Sequence, residues 1–412
     1  MKEVVIIDAA RTPIGKYRGG LSSLTAVQLG TEITKHLLYK TNTDVERVDQ
    51  VIFGNVLQAG NGQNPARQIA INSGIPVTVP AMTINEVCGS GLKSVILARQ
   101  QIQLGEAELV IAGGTESMSQ APLIQAYQAE TKEYGEGFSS MVNDGLTDAF
   151  SQKHMGLTAE NVAEQFHVTR EMQDAYALHS QLKAAKASSA GIFEEEIMPV
   201  VVNETLTVAS DEGIRGNSTL EKLATLKTVF KEEGTVTAGN ASTLNDGAAV
   251  VILASKEYAE KHAIPYIAQI KEVSEIGIDP SIMGVAPITA IQTLLAKTDL
   301  TLDAIDLFEI NEAFASSSVA VMDELQLPEE KVNIYGGGIS LGHPIGATGS
   351  RLLATLSYGL IREKKRFGIA SLCIGGGLGL AMLLENPKYA TDGPNTKKKN
   401  SMNKNQQNGD NY

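Results

Sequence analysis

Short apolar, β-branched runs alternate along the chain with longer stretches of helical spacing. Val4 to Ile7 opens as a strand, the spacing then predicts a helix through Leu24 to Leu38, a strand over Gln50 to Gly54 and a helix around Pro65 to Ser73. Strand-sized runs with no polar face, each followed by a helix, predict buried sheets covered by helices, an α/β layered fold.

The order then recurs. Val48-Asp49-Gln50-Val51-Ile52-Phe53-Gly54-Asn55 has an echo in Ile305-Asp306-Leu307-Phe308-Glu309-Ile310-Asn311. Met82-Thr83-Ile84 leads into a turn and a helix from about Leu92, as Val332-Asn333-Ile334 leads into Gly336-Gly337-Gly338 and a helix from about Gly349. Leu109-Val110-Ile111-Ala112-Gly113-Gly114 resembles Ile369-Ala370-Ser371-Leu372-Cys373-Ile374-Gly375-Gly376. Three matches in one order predict a duplicated unit, with one half at 1–117 plus 243–265 and the other at 266–386. Between them, 118–242 carries fewer strand signals and helical stretches at Ala159 to Phe166 and Arg170 to Ser188. An insertion of that length predicts a lid or binding domain. Beyond Asn386 the chain is rich in Asn, Lys, Gln and Gly without apolar period, so 387–412 is expected to be a polar, disordered tail.

Composition agrees with two cores rather than one: 412 residues, 43% of them hydrophobic. A net charge of −13 argues against a nucleic-acid partner, and an anionic ligand would need local cations. Two cysteines make no disulfide framework and no zinc-ligand spacing, which points to a reducing, cytoplasmic setting without a metal. No apolar run reaches the length of a bilayer span, and the first residues read as a strand rather than a signal peptide.

Both cysteines sit beside glycines, where backbone N–H groups and a substrate can come close. The alternative is that both are small buried hydrophobes, the usual fate of a free thiol. Cys88 lies in Asn85-Glu86-Val87-Cys88-Gly89-Ser90-Gly91, ahead of helical spacing; a helix N-terminus there would lower the thiol pKa and raise the thiolate fraction. His343 is embedded in Ser340-Leu341-Gly342-His343-Pro344-Ile345-Gly346-Ala347-Thr348-Gly349, a rigid turn that either fixes an imidazole or uses the ring to cap a helix or fill a gap. Asn311 opens Asn311-Glu312-Ala313-Phe314-Ala315 after a strand, and is either a helix N-cap or an amide that holds a water or donates to an oxyanion.

Taken together, the Cys88 turn, the Asn311 segment, the His343 loop and Cys373-Ile374-Gly375-Gly376-Gly377 resemble the thiolase family, in the family's order. The similarity runs from about Met1 to Glu385 and adds Arg11-Thr12-Pro13-Ile14-Gly15, Gly113 to Ser119 and Gly239 to Gly247. It implies a duplicated thiolase fold, a five-layered α/β/α/β/α sandwich with an inserted loop domain that binds coenzyme A. It also implies that the Cys88 thiolate takes the acyl group from an acyl-CoA, that His343 activates Cys88, and that Cys373 removes an α-proton from acetyl-CoA. Asn311 would hold a water at the enolate, and the N–H groups of Cys88 and Gly375 would form an oxyanion hole.

The resemblance extends to substrate size. His154 and Met155 match short-chain, acetoacetyl-CoA thiolases, with Met155 closing the acyl pocket, and the other reading is that the pair packs the loop domain. Leu146, Arg215, Phe230, Ala238, Ser242 and Leu244 match positions that contact CoA, as do Met283, Ala313 and Phe314. Departures from the family pattern are Ser316-Ser317-Ser318 in place of a glutamine, Tyr335 in place of an asparagine, Thr147 in place of a tryptophan, and Leu226-Lys227-Thr228. The implied activity is conversion of two acetyl-CoA into acetoacetyl-CoA and CoA, and its reverse, in a homodimer or homotetramer without metal or redox cofactor. The alternatives are a 3-ketoacyl-CoA thiolase of broader chain length, a ketoacyl synthase, or a non-catalytic CoA-binding relative.

Overall fold

In the first strand, β1 (Val4–Arg11), Val4 and Ile6 enter one apolar core while Val5 and Ile7 enter another, as the two-residue strand period requires. Ala9 rejoins the core of Val4 and Ile6, and Ala10 that of Val5 and Ile7. This change of parity has a local cause: the pairing of β1 slips between Ile6 and Asp8, a bulge that turns every later side chain to the opposite face. A strand with two buried faces must sit in the middle of a layered molecule.

The computed structural model describes residues 1–389, so most of the tail expected at 387–412 lies outside the described residues. One ten-stranded mixed sheet carries both halves. The first half contributes β1, β2 (Gln50–Gly54), β3 (Ala81–Ile84), β4 (Leu109–Ser117) and β5 (Asn245–Ser255), in the spatial order β1-β5-β4-β2-β3, and the two-residue strand Gly15–Lys16 pairs with β5 off this path. The second contributes β6 (Ala268–Gly277), β7 (Leu307–Ile310), β8 (Phe367–Ile374) and β9 (Leu378–Glu385), in the order β6-β9-β8-β7, with Val332 bridging Phe308 where the first half has β3. The halves join where Val4–Ile6 pairs with Ala268–Ile270. Each echo noticed in sequence occupies the same place in its half: β2 and β7 are parallel to β4 and β8.

Helices complete five layers. α1 (Ala26–Lys40) and α2 (Pro65–Asn72) cover the outer face of the first half through Leu29, Ile33 and Ile69. Thr25 and Gln28 close a capping box at the start of α1. α3 (Ser90–Leu104) and α8 (Thr348–Arg362) share the central core with Ile6 and Leu372. α8 is buried from Thr348 to Leu360, as a helix enclosed between the two halves of the sheet must be. On the far side, α6 (Ala286–Leu295) and α7 (Ala315–Leu325) cover the second half through Ile291 and Val321. The central contact is made glycine against backbone: a Cβ at Gly349 would lie 2.2 Å from Leu92 N, and one at Gly114 2.0 Å from Gly346 O.

Residues 118–242 add no strand to the ten-stranded sheet. They supply α4 (Met155–Gln165), α5 (Arg170–Ser189) and two-stranded hairpins. A buried cation fastens this segment to β1: Arg11 Nε donates to Glu196 at 2.6 Å, and Nη1 and Nη2 donate to Asp211 at 2.6 and 3.0 Å. Arg11→Met is expected to cost about 3–5 kcal/mol, because it leaves two buried carboxylates unpaired. The check is the denaturant midpoint of parent and variant; a loss under about 1 kcal/mol would rank the triad with surface pairs.

Candidate active site

Cys88 sits two residues ahead of α3, in a turn bent sharply enough to need bracing. Val87, a β-branched residue, lies in the left-handed region at φ 46°, a conformation held only when its surroundings impose it. Here they do. Asn85 Oδ1 accepts the Val87 N–H at 2.9 Å, and Ser90 Oγ accepts the Glu86 N–H at 2.8 Å while donating to Val87 O at 2.7 Å. Gly89 lets the turn touch the strand that carries the second cysteine, since a Cβ there would fall 2.4 Å from Ile374 Cδ1.

The thiol is not the depressed one expected from a helix N-terminus. Cys88 opens to solvent only through a cavity, and burial pushes it up to about 11, while the N–H groups of Gly375 and of Cys88 itself, both directed at the sulfur, pull it partway back. Desolvation outweighs the helix terminus because the walls are apolar. Cys373, at the end of β8, is pushed up to about 12 by burial and by its neighbour Cys88.

His343 is held by its ring and its backbone. Its Nδ1 lies 2.6 Å from Thr348 Oγ1, and that hydroxyl sits 3.0 Å from Pro344 O, where it donates its one proton. Thr348 therefore accepts from Nδ1–H, which leaves the Nε2 lone pair facing the site. The His343 N–H donates to Asn245 Oδ1 at 2.8 Å, and Gly342 turns the chain at φ 114° beside that amide. Burial first, and then the Arg351 cation, pull the imidazole down to about 3.

Asn311 is not a helix cap. α7 begins at Ala315 with Phe314 in the capping position, which frees the amide: Nδ2 approaches His343 Nε2 at 3.5 Å, and Oδ1 is buried without a hydrogen bond. An unsatisfied acceptor beside an imidazole lone pair suits a site that binds a polar group. Next in sequence, Glu312 accepts Tyr176 OH, Asn333 Nδ2, Ser180 Oγ and the Ile339 N–H, tying α5 to the segment that leads into the histidine loop.

Cys88, His343, Cys373 and Gly375 share a cavity of about 510 Å³. Among its walls are Leu146, His154, Met155, Phe230, Ala238 and Ser242, together with Leu244, Met283, Ala313 and Phe314. Asn311 is not among the wall residues, although its Nδ2 reaches the Nε2 of His343 that faces the site. Arg215 is exposed and does not line the cavity. The His154 ring stacks on Phe230 with centroids 4.6 Å apart, and its Nδ1 accepts the Gly156 N–H at 3.0 Å. Met155 Sδ lies 3.4 Å from where a Cβ on Gly375 would sit, so the thioether faces Gly375.

Sequence reasoning missed Lys16, Tyr17, Met118 and Ile345 on the wall and the parts of Thr348 and Glu116. Thr348 and Glu116 stand inside quoted motifs, but nothing local shows which partner each would meet. The departures fall away from the reacting groups: Ser316 Oγ donates to Ala159 O at 3.0 Å, and Tyr335 OH to Glu363 at 2.8 Å. Among the described residues no helix is long and apolar enough to cross a membrane.

A duplicated five-layer fold with two cysteines and a histidine at one apolar cavity defines a class of acyl-transferring enzymes, and comparison with known proteins agrees. The thiolase N-terminal domain model matches residues 4–257 and the C-terminal domain model residues 264–386. A Staphylococcus aureus protein named probable acetyl-CoA acyltransferase is 48% identical over 394 residues, covering 94% of this chain and 100% of its own. A Pseudomonas aeruginosa acetyl-CoA acetyltransferase is 48% identical, covering 93% of this chain and 99% of its own. Among solved structures, the Bacillus anthracis acetyl-CoA acetyltransferase aligns with TM-score 0.91 at 42% identity, over 94% of this chain and 99% of that one. Human mitochondrial 3-ketoacyl-CoA thiolase in complex with CoA aligns with TM-score 0.90 at 43% identity, over 93% and 98%. The chain belongs to the thiolase family, whose members are acyltransferases.

Proposed function

We propose that this enzyme is an acetyl-CoA C-acetyltransferase, which condenses two acetyl-CoA into acetoacetyl-CoA and CoA through an acetyl-Cys88 intermediate and also runs in reverse. The observation that carries this reading is the placement of Cys88, His343 and Cys373 on one cavity that Met155 and the stacked His154 and Phe230 also line, and we read these three as closing its acyl end.

The groups balance over one cycle. His343 Nε2 takes the Cys88 proton as the sulfur attacks the thioester carbon, and the N–H groups of Cys88 and Gly375 receive the oxyanion. Collapse breaks the C–S bond to CoA, and the departing thiolate takes the Cys373 proton, leaving imidazolium and Cys373 thiolate. A second acetyl-CoA binds, Cys373 removes its α-proton, and imidazolium with a water on Asn311 stabilises the enolate oxygen. The enolate carbon attacks acetyl-Cys88, and the expelled Cys88 thiolate recovers its proton from His343. A thiol held up to about 12 makes a strong base once ionised, as a weak carbon acid demands. Every step is a proton transfer or a thioester substitution, so we propose no metal or redox cofactor.

The likeness to 3-ketoacyl-CoA thiolase supports a second reading, a broader chain length. Steady-state thiolysis of acetoacetyl-CoA against a long-chain 3-ketoacyl-CoA separates the two, and preference for the longer substrate would overturn acetyl specificity. Met155→Ala is expected to raise kcat/KM for a substrate two carbons longer by about tenfold, the scale of methylene discrimination in an apolar pocket. No gain would mean that another residue closes the acyl end.

We also propose a cytoplasmic homo-oligomer. Both cysteines are free thiols. β3 is an open edge of the sheet, and the hairpin arm exposes Leu123, Tyr127 and Tyr134 at 76%, 58% and 68%. Apolar groups so exposed suit a second copy of this chain.

A further inference from the structure

Glu116 is the penultimate residue of β4, wholly buried, and no step of the reaction uses it. Its two oxygens accept four N–H groups. Oε1 takes Asn55 Nδ2 at 2.8 Å and Leu57 N at 3.2 Å, while Oε2 takes Val56 N at 3.0 Å and Gly346 N at 3.1 Å. Three of these donors belong to the turn after β2. The fourth lies in the histidine loop, three residues beyond His343.

The fit leaves no slack. A Cβ on Gly346 would meet Glu116 Oε2 and Thr115 O, both at 2.7 Å. The carboxylate thus joins the loop that carries His343 to the half that carries Cys88, at a seam too close for side chains. We infer that Glu116 is a positioning residue: it holds the histidine loop at the distance from which His343 Nε2 reaches the Cys88 thiol. This rests on the proposed reaction, in which His343 takes that proton.

The donor set explains why a carboxylate is needed. Three of the four partners are backbone N–H groups, which cannot reverse to accept, and the fourth, the Asn55 amide, is held in its orientation by a second bond from Nδ2 to Thr115 O at 3.1 Å. A glutamine would turn one NH₂ toward two of them, exchanging two hydrogen bonds for a clash of donors. The titratable neighbours are Asp246 on the paired strand β5, then Cys88, whose thiol the Glu116 charge disfavours as thiolate, with His343 on the loop itself, and burial pushes the Glu116 carboxyl up to about 7. The carboxylate therefore does not favour the thiolate by charge, which leaves geometry as its contribution.

The test is a double-mutant cycle on the release of CoA from acetyl-CoA, with rates normalised to Cys88 sites counted by covalent titration. Glu116→Gln is expected to lower the rate constant about 100-fold with KM changed less than about threefold, since a misplacement near 1 Å costs that much. In a His343→Ala background the same substitution is expected to change the rate by less than about threefold, because residues that act through one another are not additive. Equal losses in both backgrounds, or no loss in either, would overturn the inference. If Glu116→Gln does not fold, Glu116→Asp, which keeps the charge but shortens the reach, passes through the same cycle with the same two outcomes. A parent enzyme that releases no CoA from acetyl-CoA would sink the proposed reaction itself, a result separate from either.

Discussion

Cys373→Ser is expected to keep the burst of CoA release from acetyl-CoA within about tenfold of the parent while acetoacetyl-CoA formation falls by about 10³, the range for loss of a positioned base. The serine hydroxyl matches the thiol in size but ionises far less readily, so it cannot draw a proton from a carbon acid. Cys88 and His343 remain in place, and the first CoA can leave with the imidazolium proton instead of the Cys373 proton. Quenched-flow measurement of CoA release, read beside steady-state condensation, checks both halves at once. Loss of the burst together with condensation would place Cys373 in the first half-reaction and contradict the division of labour.

The second large effect concerns His343. His343→Ala is expected to slow both acylation and condensation by about 10²–10⁴, because one imidazole serves as base in the first and cation in the second. The parent enzyme carries a further signature. With the imidazole held down to about 3 and the Cys88 thiol up to about 11, the pair rests uncharged between those limits. A histidine pKa below its ordinary value keeps the base form present at every pH above about 3, and a raised thiol stays protonated below about 11. Proton transfer is then internal to the pair, so the pair itself leaves acylation flat from about pH 5 to pH 9, and a limb near pH 7 comes from Glu116, whose carboxyl burial pushes up to about 7. Single-turnover rates across that window, for the parent and for Glu116→Gln, decide the point. A limb between pH 6 and 8 that persists in Glu116→Gln would mean that a thiolate and an imidazolium are present before substrate arrives.

Much of this was legible along the chain. Alternating runs announced the sheets, and repetition in order announced two halves, because a strand's period and a helix's period are local properties. Three of the four motifs named Cys88, His343 and Cys373 through their glycines, which mark where backbone must come close, while Asn311 was named by its place directly after a strand. Eight of the nine positions matched to CoA contacts line the cavity, beside His154 and Met155, and Arg215 is the exception.

Other features belong to packing. The bulge after Ile6 that re-aims β1 depends on its partner strand, and Asn311 escapes a capping role because α7 starts three residues later than a cap at Asn311 requires. The thiol of Cys88 illustrates the division well: its turn and the helix that follows are written locally and argue for a low pKa, yet the apolar walls come from segments far away in sequence and reverse the sign. Glu116 and Gly346 stand 230 residues apart and touch only because two glycine-lined helices close the seam. By itself the sequence determined the repeated α/β layers, the kinds of reacting group and the turns that present them. The tertiary structure decided their ionisation, their spacing and which buried carboxylate holds them, since dielectric and distance are set by whatever packs around a group and not by its neighbours in the chain.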